Sequence, residues 1–304
     1  MTTPKFSRGT LNTFASPEQM SQVSRALHGV GRKLALVPTM GALHAGHREL
    51  IRRAKRLPNN VVATSIFVNP LQFGEGEDFE AYPRPLEADL AVLGEDGVEI
   101  AFTPAADALY AEGAAVTVHP GPLGDELEGL VRPGHFAGVL TVVAKLFNLL
   151  RPDYALFGEK DYQQLVLIKR MVRDLNIGTH VIGVPTVRER DGLALSSRNV
   201  YLTPEQREDA IVLSAALTAG AFVGRDGADA VLETAWKTLA ARPAVEVDYL
   251  ELRGTDLGPA PVDGEARLLI AARVGSTRLI DNVPVLLGAA VEHPAHPERL
   301  DAGE

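Results

Sequence analysis

Residues 33–50 read KLALVPTMGALHAGHREL and pass from an apolar run through a glycine-containing turn into a helical pattern. The run at 34–37 is typical of a strand buried on both faces of a parallel sheet, and Pro38 is expected to end it. Gly41 and Gly46 allow a sharp turn, and Gly46 lies where a helix would begin with free N–H groups. The stretch therefore predicts a strand, a tight loop and a helix N-terminus that attracts phosphate.

Two histidines distinguish this loop from other phosphate-binding loops. The glycine spacing matches a P-loop, but His47 and Arg48 stand where Lys and Ser or Thr are required, which excludes a Walker A site. His44 and His47 can donate hydrogen bonds to phosphate oxygens as charge develops on them. The residues alone leave two alternatives: ordinary loop histidines, or a metal pair, although no third His or Cys lies near in sequence.

The composition excludes several classes of protein. The chain has 304 residues, which suits two domains or one large one, and a net charge of −9, which argues against broad nucleic-acid binding. It contains no cysteine for disulfides, thiol nucleophiles or Cys-based metal sites. The N-terminus lacks the apolar region of a signal peptide, and no apolar run reaches the roughly 18 residues of a membrane span. We therefore expect a cytoplasmic protein that binds neither nucleic acid nor membrane.

Alternating strand and helix patterns predict a parallel sheet in residues 1–185. Ser16 is a predicted helix cap, because Pro and Gln follow at the first and third helical positions. The expected strands are at 34–37, 60–68, 98–102, 154–157 and 179–184, with helices between them. Repeated β-α-β units with right-handed crossovers make a Rossmann-like α/β domain.

Residues 186–285 are interpreted as a second, smaller domain. Pro185 marks the boundary, and Thr203 caps the first of two Ala-rich helices. Strands at 245–252 and 267–272 and an apolar segment near Leu279 follow the helices. This order predicts an α+β lid domain, and residues 286–304, which are polar from about Glu292, are expected to form a flexible tail.

Polar side chains follow two of the predicted strands, at the carboxyl edge where open α/β sheets bind ligands. Asn69 and Gln72 come after the second strand and suit a substrate with hydroxyl and carboxylate groups, although Asn-Pro is also a common turn signal. Lys160 and Asp161 come after the fourth strand and suit phosphate and ribose, with a solvated charge cluster as the alternative. Gln164 lies on the same helical face as Asp161.

A third polar segment lies beyond the domain boundary. Residues 195–199, LSSRN, combine two hydroxyls with a cation, a composition that suits a mobile phosphate clamp. As an isolated pentapeptide the same residues also fit a surface turn.

Several separated motifs carry a resemblance to a known family. The HxGH pattern after a first strand is similar to the nucleotidyltransferase superfamily that includes class I aminoacyl-tRNA synthetases. The longer string PTMGALHAGH, at 38–47, resembles the pantothenate synthetase family. The further matching motifs are SIFVNPLQFG at 65–74, RPGHFAGV at 132–139, FGEKDYQQ at 157–164 and LSSRN at 195–199. Their conjunction favours ligand binding over the turn and surface-charge alternatives.

The resemblance implies an activity. The family condenses (R)-pantoate with β-alanine to pantothenate, on the way to coenzyme A, and consumes ATP. AMP and pyrophosphate are released through an enzyme-bound pantoyl-adenylate. The resemblance also implies Mg²⁺, which the ATP phosphates largely hold, and a homodimer formed through the first domain.

It further implies roles for individual residues. His47, His44 and Lys160 would act on the phosphates, with His47 as proton donor. Gln72 and Gln164 would bind pantoate, with Gln72 also near β-alanine. The residues that would bind ATP are Met40, Gly41, Ala42, Leu43, His44, Ala45, Gly46, His47, Gly158, Glu159, Lys160, Asp161, Val187, Leu195, Ser196, Ser197 and Arg198.

Two implied roles are less direct. Asn69 would support the wall that carries Gln72. Asp89 is the one acidic side chain linked to Mg²⁺, and Ala88 stands where the family often has a second acid.

Two other functions fit parts of the same pattern. An adenylyl- or cytidylyltransferase would share the HxGH loop but transfer its nucleotide to a phosphorylated acceptor. The amides of Gln72 and Gln164 suit a hydroxy acid better than a phosphate, for which Arg or Lys is expected. A non-catalytic nucleotide sensor would not need two histidines together with Lys160 and Arg198.

Overall fold

A computed structural model describes residues 6–74, 76–77, 79–110 and 113–288 of the chain. Most of the first part folds around one six-stranded parallel sheet with the strand order β1-β4-β3-β2-β5-β6. The strands are β1 (Asn12–Phe14), β2 (Lys33–Thr39), β3 (Asn60–Ile66), β4 (Ile100–Phe102), β5 (Tyr154–Gly158) and β6 (His180–Val184). The Rossmann-like α/β fold predicted from the sequence is therefore confirmed.

Helices cover both faces of this sheet. They are α1 (Pro17–Gly29), α2 (Ala45–Ala54), α3 (Leu86–Glu95), α4 (Ala106–Leu109), α5 (Glu128–Val131), α6 (His135–Leu150) and α7 (Tyr162–Asp174). The central strand β2 shows why both faces are covered. Its residues Leu34 and Leu36 pack into one buried cluster with α1, α6 and α7, whereas Ala35 and Val37 pack into another with α2 and α3.

Two features of the sheet differ from the sequence prediction. The short edge strand β1 was not predicted, because its three residues carry no strand pattern of their own and are ordered by parallel pairing with β4. Pro38 does not end β2, which stays paired with β3 as far as Thr39. Pairing with β5 stops at Leu36, so one side of β2 is open at the proline, where a missing N–H costs no ladder bond.

The second unit is a three-stranded antiparallel sheet covered by two helices. The helices are α8 (Pro204–Phe222) and α9 (Ala228–Leu239), and the strands are β7 (Val245–Gly254), β8 (Gly264–Val274) and β9 (Thr277–Leu287). Thr203 caps α8 together with Gln206, as the sequence predicts. Strand β9 continues to Leu287, past the expected start of the tail at residue 286, and residues 289–304 lie outside the described residues.

Polar contacts join the two units beside the carboxyl edge of the first sheet. Arg278 on β9 makes two hydrogen bonds to the buried carboxylate of Glu128, which also accepts from the Tyr249 hydroxyl at 2.9 Å. On α7, Arg170 donates to the carbonyl of Asp256 at 2.6 Å. These contacts leave a cleft between the carboxyl ends of the parallel strands and the second unit. Across the described parts of the chain, no helix has both the length and the apolar character that crossing a membrane requires.

Candidate active site

The loop after β2 is held from below by a carboxylate. Asp89 on α3 is 3% exposed and accepts from the backbone N–H groups of Ala42 at 2.9 Å and Leu43 at 2.8 Å. Gly41 has a φ of +84°, and a Cβ there would lie 2.8 Å from an oxygen of Asp89. The sequence linked Asp89 to Mg²⁺, but in this arrangement both of its oxygens bind the loop backbone, and the side chain shapes the loop.

His44 and His47 form the N-terminal cap of α2. The Nδ1 atom of His44 accepts from the N–H of Gly46 at 3.1 Å, and Nδ1 of His47 accepts from the N–H of His44 at 3.3 Å. Histidine replaces the usual Ser or Thr and Glu or Gln of a capping box. The two rings lie 4.1 Å apart, centroid to centroid.

Burial decides the charge of both rings, and these hydrogen bonds decide their tautomer. Burial, together with the neighbouring His44, lowers the pKa of His47 to about 3. Burial and the nearby Lys160 ammonium also lower the pKa of His44. Because Nδ1 accepts in each neutral ring, the proton resides on Nε2. Each histidine therefore offers one N–H donor next to the free N–H groups of the helix.

The wall carrying Gln72 is built from a turn after β3. Asn69 is 1% exposed, caps the short 3₁₀ turn Pro70–Gln72, and donates to the carbonyl of Gly138 on α6 at 3.1 Å. The side chain of Gln72 accepts from Asn69 at 3.2 Å and donates to the sulfur of Met40 at 3.0 Å. Asn69 therefore holds Gln72 in place from behind the wall.

The first residues of the RPGHFAGV motif complete this wall. His135 Nδ1 lies 2.8 Å from the carbonyl of Gln72 and donates to it, while its Nε2 accepts from Arg132 at 3.1 Å. Arg132 also binds both oxygens of Glu77 at 2.7 Å. Burial and the Arg132 guanidinium lower the pKa of His135 to about 4. No role was predicted for Arg132 or His135, although the quoted motif contained them, because their contacts join segments about 60 residues apart.

The end of β5 brings a cation to the same cleft. The Lys160 ammonium is 4.0 Å from the carboxylate of Asp161, and the lysine side chain is 20% exposed. Glu159 turns away and pairs with Arg267 of the second sheet at 2.9 Å. Gln164, one turn into α7, makes no side-chain hydrogen bond to the residues that the structure describes, so its amide is available to a ligand in the cleft.

The LSSRN segment reaches the cleft from the second unit. Ser196 caps the 3₁₀ turn Ser197–Tyr201 by accepting from the N–H of Arg198 at 3.2 Å. Asn199 donates to Glu189 at 2.9 Å, and Arg207 on α8 pairs with the same carboxylate at 2.7 Å. A backbone hydrogen bond of 2.9 Å from Leu195 to Val187 closes the segment into a loop.

One cavity of about 270 Å³ collects most of the predicted residues. The predicted residues that line it are Met40, His44, Gly46, His47, Gln72, Gly158, Lys160, Asp161, Gln164, Val187, Leu195, Ser196, Ser197 and Arg198. Gly41, Ala42, Leu43, Ala45, Asn69, Asp89 and Glu159 do not line it. A neighbouring cavity of about 470 Å³ shares Lys160, Asp161, Gln164 and Arg198 and extends under the second sheet.

The donor set does not form a metal cage. Among the described residues, no three or more His, Cys, Asp or Glu side chains gather where they could hold a metal ion. The Nδ1 atoms of His44 and His47 are both used in capping, which disfavours the metal-pair alternative. Fixed N–H donors and cations that converge on one space are suited to an anionic ligand such as a polyphosphate.

The fold and the cleft together define a class. This is a Rossmann-like α/β protein with a small second domain beside the cleft. Its HxGH loop lies at the carboxyl end of β2, where the strand order of the sheet reverses between β2 and β5. Open α/β sheets bind nucleotides and related ligands at this switch point.

Comparison with known proteins narrows the class. The family model for pantoate-beta-alanine ligase matches residues 12–284. A pantothenate synthetase from Saccharopolyspora erythraea is 63% identical, covering 94% of each chain, and one from Mycolicibacterium smegmatis is 60% identical, covering 97% of this chain and 94% of the relative.

Solved structures agree. Pantothenate synthetase from Thermus thermophilus matches with a TM-score of 0.82 and 47% identity, covering 90% of this chain and 98% of that one. The pantoate-beta-alanine ligase from Francisella tularensis, complexed with beta-gamma ATP and beta-alanine, matches with a TM-score of 0.75 and 35% identity over 90% and 97%. The chain belongs to the pantoate-beta-alanine ligase family.

Proposed function

We propose that this enzyme joins (R)-pantoate to β-alanine in two steps, with a pantoyl-adenylate as the intermediate and with AMP and pyrophosphate as products. One observation carries the proposal. The Nε2–H donors of His44 and His47, the Lys160 ammonium and the hydroxyls of Ser196 and Ser197 line a single cavity that also contains the amides of Gln72 and Gln164. Groups that suit a triphosphate and groups that suit a hydroxy acid therefore lie side by side.

In the first step a pantoate carboxylate oxygen attacks the α-phosphorus of ATP. A P–O bond forms on one side and the bond to pyrophosphate breaks on the other, and no net proton transfer is needed. His47 is neutral at neutral pH, since its pKa is about 3, so it acts as a hydrogen-bond donor to phosphate oxygens. This differs from the proton-donor role implied by the sequence resemblance. Lys160 and Arg198 offset the charge that develops on the phosphates.

In the second step the amine of β-alanine attacks the acyl carbon, and AMP leaves. The neutral amine loses one proton when the amide forms, and the phosphate oxygen of the departing AMP takes it up. The adenylate is already activated, so holding the two reactants in line supplies most of the assistance. Asn69 and Met40 hold the Gln72 side chain, so it presents its amide in one orientation, and His135 holds the backbone carbonyl of the same residue. The second sheet beside the cleft limits access of water to the adenylate.

We propose that Mg²⁺ enters with ATP. The described residues provide no carboxylate cluster for the ion, and Asp89 is occupied by the loop backbone. Phosphate oxygens and water would then supply most of its ligands, as is usual for Mg²⁺ at nucleotides. The beta-gamma ATP and beta-alanine in the Francisella tularensis complex support ATP and β-alanine as ligands of this cleft.

The test is product analysis with ATP, pantoate and β-alanine, in which each acid is omitted in turn. AMP is expected only when both acids are present, and pantoate alone is expected to support pyrophosphate exchange into ATP. Formation of ADP, or activity only with a phosphorylated acceptor, would overturn the two-step ligase proposal and favour a nucleotidyltransferase.

His47→Ala tests the role of the loop. We expect this variant to lose at least about 100-fold in pantoate-dependent exchange, which is the range for removal of one transition-state donor. His180→Ala is a matched control, because His180 is exposed at the start of β6. Exchange at the normal rate in a folded His47→Ala variant would remove His47 from the mechanism.

Two further proposals rest on the family resemblance alone. We propose that the enzyme is cytoplasmic and forms a homodimer through its first domain. Light scattering at several protein concentrations tests the assembly, and a single mass equal to one chain would refute the dimer.

A further inference from the structure

A side chain of the second sheet holds the backbone that carries Lys160. Asn282 on β9 is 3% exposed, and its Nδ2 donates to the carbonyls of Glu159 at 2.9 Å and Lys160 at 2.8 Å. Both carbonyls belong to the turn where β5 ends. One buried amide therefore fixes two successive peptide groups from across the domain boundary.

The orientation of this amide is itself determined by its neighbours. Its Oδ1 accepts from Nε of Arg267 at 2.6 Å, so Nδ2 must face the two carbonyls. Arg267 is 6% exposed, donates to the carboxylate of Glu159 at 2.9 Å and lies over the ring of Tyr162. A charged, buried partner holds Asn282 in a single rotamer.

The residue before Asn282 reaches the other side of the cleft. Asp281 is 4% exposed and accepts from both terminal nitrogens of Arg188, at 2.6 and 3.0 Å. Arg188 bridges to Ala194 in an antiparallel pair, immediately before the segment with Ser196 and Arg198. The dipeptide Asp281–Asn282 thus contacts the supports of both groups of phosphate-facing residues.

Lys160 needs such a support. Its nearest described carboxylate, that of Asp161, is 4.0 Å away, at the limit of an ion pair. A lysine side chain has four flexible bonds, so the position of its ammonium depends on where the backbone places its base. We infer that Asn282 is a positioning residue for adenylation, which it serves by fixing the Lys160 turn; this inference rests on the proposed function.

Two substitutions test the inference. Asn282→Asp keeps the shape and the acceptor for Arg267 but sets a carboxylate oxygen against two carbonyls. Asn282→Ser removes the two donated bonds without adding charge to the interface. We expect kcat for pantoate-dependent pyrophosphate exchange to fall by about 10- to 100-fold in either variant, while KM for pantoate changes by less than about twofold.

A double-mutant comparison separates positioning from general support of the interface. If Asn282 acts through Lys160, Asn282→Asp should cost less than about twofold in kcat when it is added to Lys160→Ala. Arg170→Ala is the matched control, because it removes a different bond between the two units, to Asp256, and should leave exchange unchanged. Circular dichroism and thermal melting verify that each variant is folded.

The outcomes are distinct. Normal exchange in a folded Asn282 variant, or an equal loss with and without the Lys160 side chain, overturns the inference. An equal loss in Arg170→Ala overturns it as well, since any weakened interface would then slow the reaction. Absence of exchange in the unmodified enzyme removes the proposed function, and the inference with it.

Discussion

The two walls of the cleft are built by different physical means. The first-domain wall, residues 40–47 and 69–72, is held mainly by partly buried hydrogen bonds to backbone groups, with the buried Asp89 carboxylate as the charged acceptor. The second-domain wall, residues 187–198, is held largely by ion pairs such as Arg207 to Glu189 and Asp191, whose side chains are about one-third exposed. Hydrogen bonds shielded from solvent are costly to break and little affected by salt, whereas partly exposed ion pairs contribute little to stability and are screened.

The first-domain wall is the more rigid of the two. The side chains of His44, His47 and Gln72 each have a fixed orientation before a ligand arrives, which is what electrostatic stabilisation of a transition state requires. The second-domain wall depends instead on partly exposed ion pairs, which contribute less to stability. We expect substitutions in the first-domain wall to have the larger effects.

The largest effect is expected at Gly138 on α6. A Cβ at this position would lie 2.1 Å from the carbonyl oxygen of Leu71, so Gly138→Ala must push the turn with Gln72 away from the helix. We expect a loss of about 3 kcal/mol in the free energy of unfolding, the upper end for overpacking, and a raised KM for pantoate. Urea denaturation and steady-state kinetics measure both.

Gly94 provides the control for this substitution. It also lies within a helix, α3, and a Cβ there would meet nothing within 4 Å. Gly94→Ala should therefore be neutral or slightly stabilising. If the two glycine variants had equal stability, the tight packing of the first-domain wall would be refuted.

The next effect concerns the carboxylate under the loop. Asp89→Asn leaves an amide N–H facing the backbone N–H of Ala42 or Leu43, at a cost of about 2 kcal/mol for an unsatisfied buried group. We expect a higher KM for ATP that additional Mg²⁺ does not restore. Glu87 is exposed on the same helix, so Glu87→Gln should change neither the free energy of unfolding nor the KM for ATP. Recovery at high Mg²⁺ would instead establish Asp89 as a metal ligand.

The third effect is a dependence of stability on pH. The pKa of His47 is about 3 in the folded protein and near 6.5 when the ring is free, so the unfolded chain binds the proton more tightly. His47 therefore does not change the free energy of unfolding above about pH 6.5. Between about pH 6.5 and pH 3 it lowers that free energy by at most about 1.4 kcal/mol for each unit by which the pH falls.

Urea denaturation at pH 7 and pH 5 tests this dependence. His47→Gln should make the stability less dependent on pH, whereas His180→Gln should leave the dependence unchanged. An unaltered pH dependence in His47→Gln would contradict a buried, neutral His47.

The smallest effect is expected in the second-domain wall. Arg207→Met removes the pairs with Glu189 and Asp191, and we expect less than about 1 kcal/mol of destabilisation because these groups are partly exposed. The KM for ATP should rise a few-fold, since Glu189 also holds Asn199 beside Arg198. Added salt should lower the free energy of unfolding of the unmodified enzyme towards that of the Arg207→Met variant, because salt screens the same ion pairs. A loss as large as that of Gly138→Ala would remove the contrast between the walls.

Local sequence chemistry was sufficient for much of this structure. Residues 33–50 predicted a strand, a loop and a helix N-terminus because continuous apolar runs, glycine turns and helix starts are decided over a few residues. The cap by Thr203 and Gln206 and the order of helices and strands follow from equally short-range rules. Most of the residues that the family motifs then identified line the cleft.

Other features depend on contacts between distant segments. Strand β1 exists through its partner β4, and the neutral state of His47 results from burial that no local pattern reveals. The role of Asp89 as a loop support likewise required its distance to Ala42 and Leu43.

The α/β class, the HxGH loop and the chemistry of the side chains that face a phosphate follow from the amino-acid sequence. The tertiary structure alone decided which groups support them: Asp89 under the loop, His135 behind Gln72, and Asn282 against Lys160. The physical reason is range. Caps and turns form between near neighbours, whereas a buried hydrogen bond between residues about 120 positions apart exists only after the whole chain has packed.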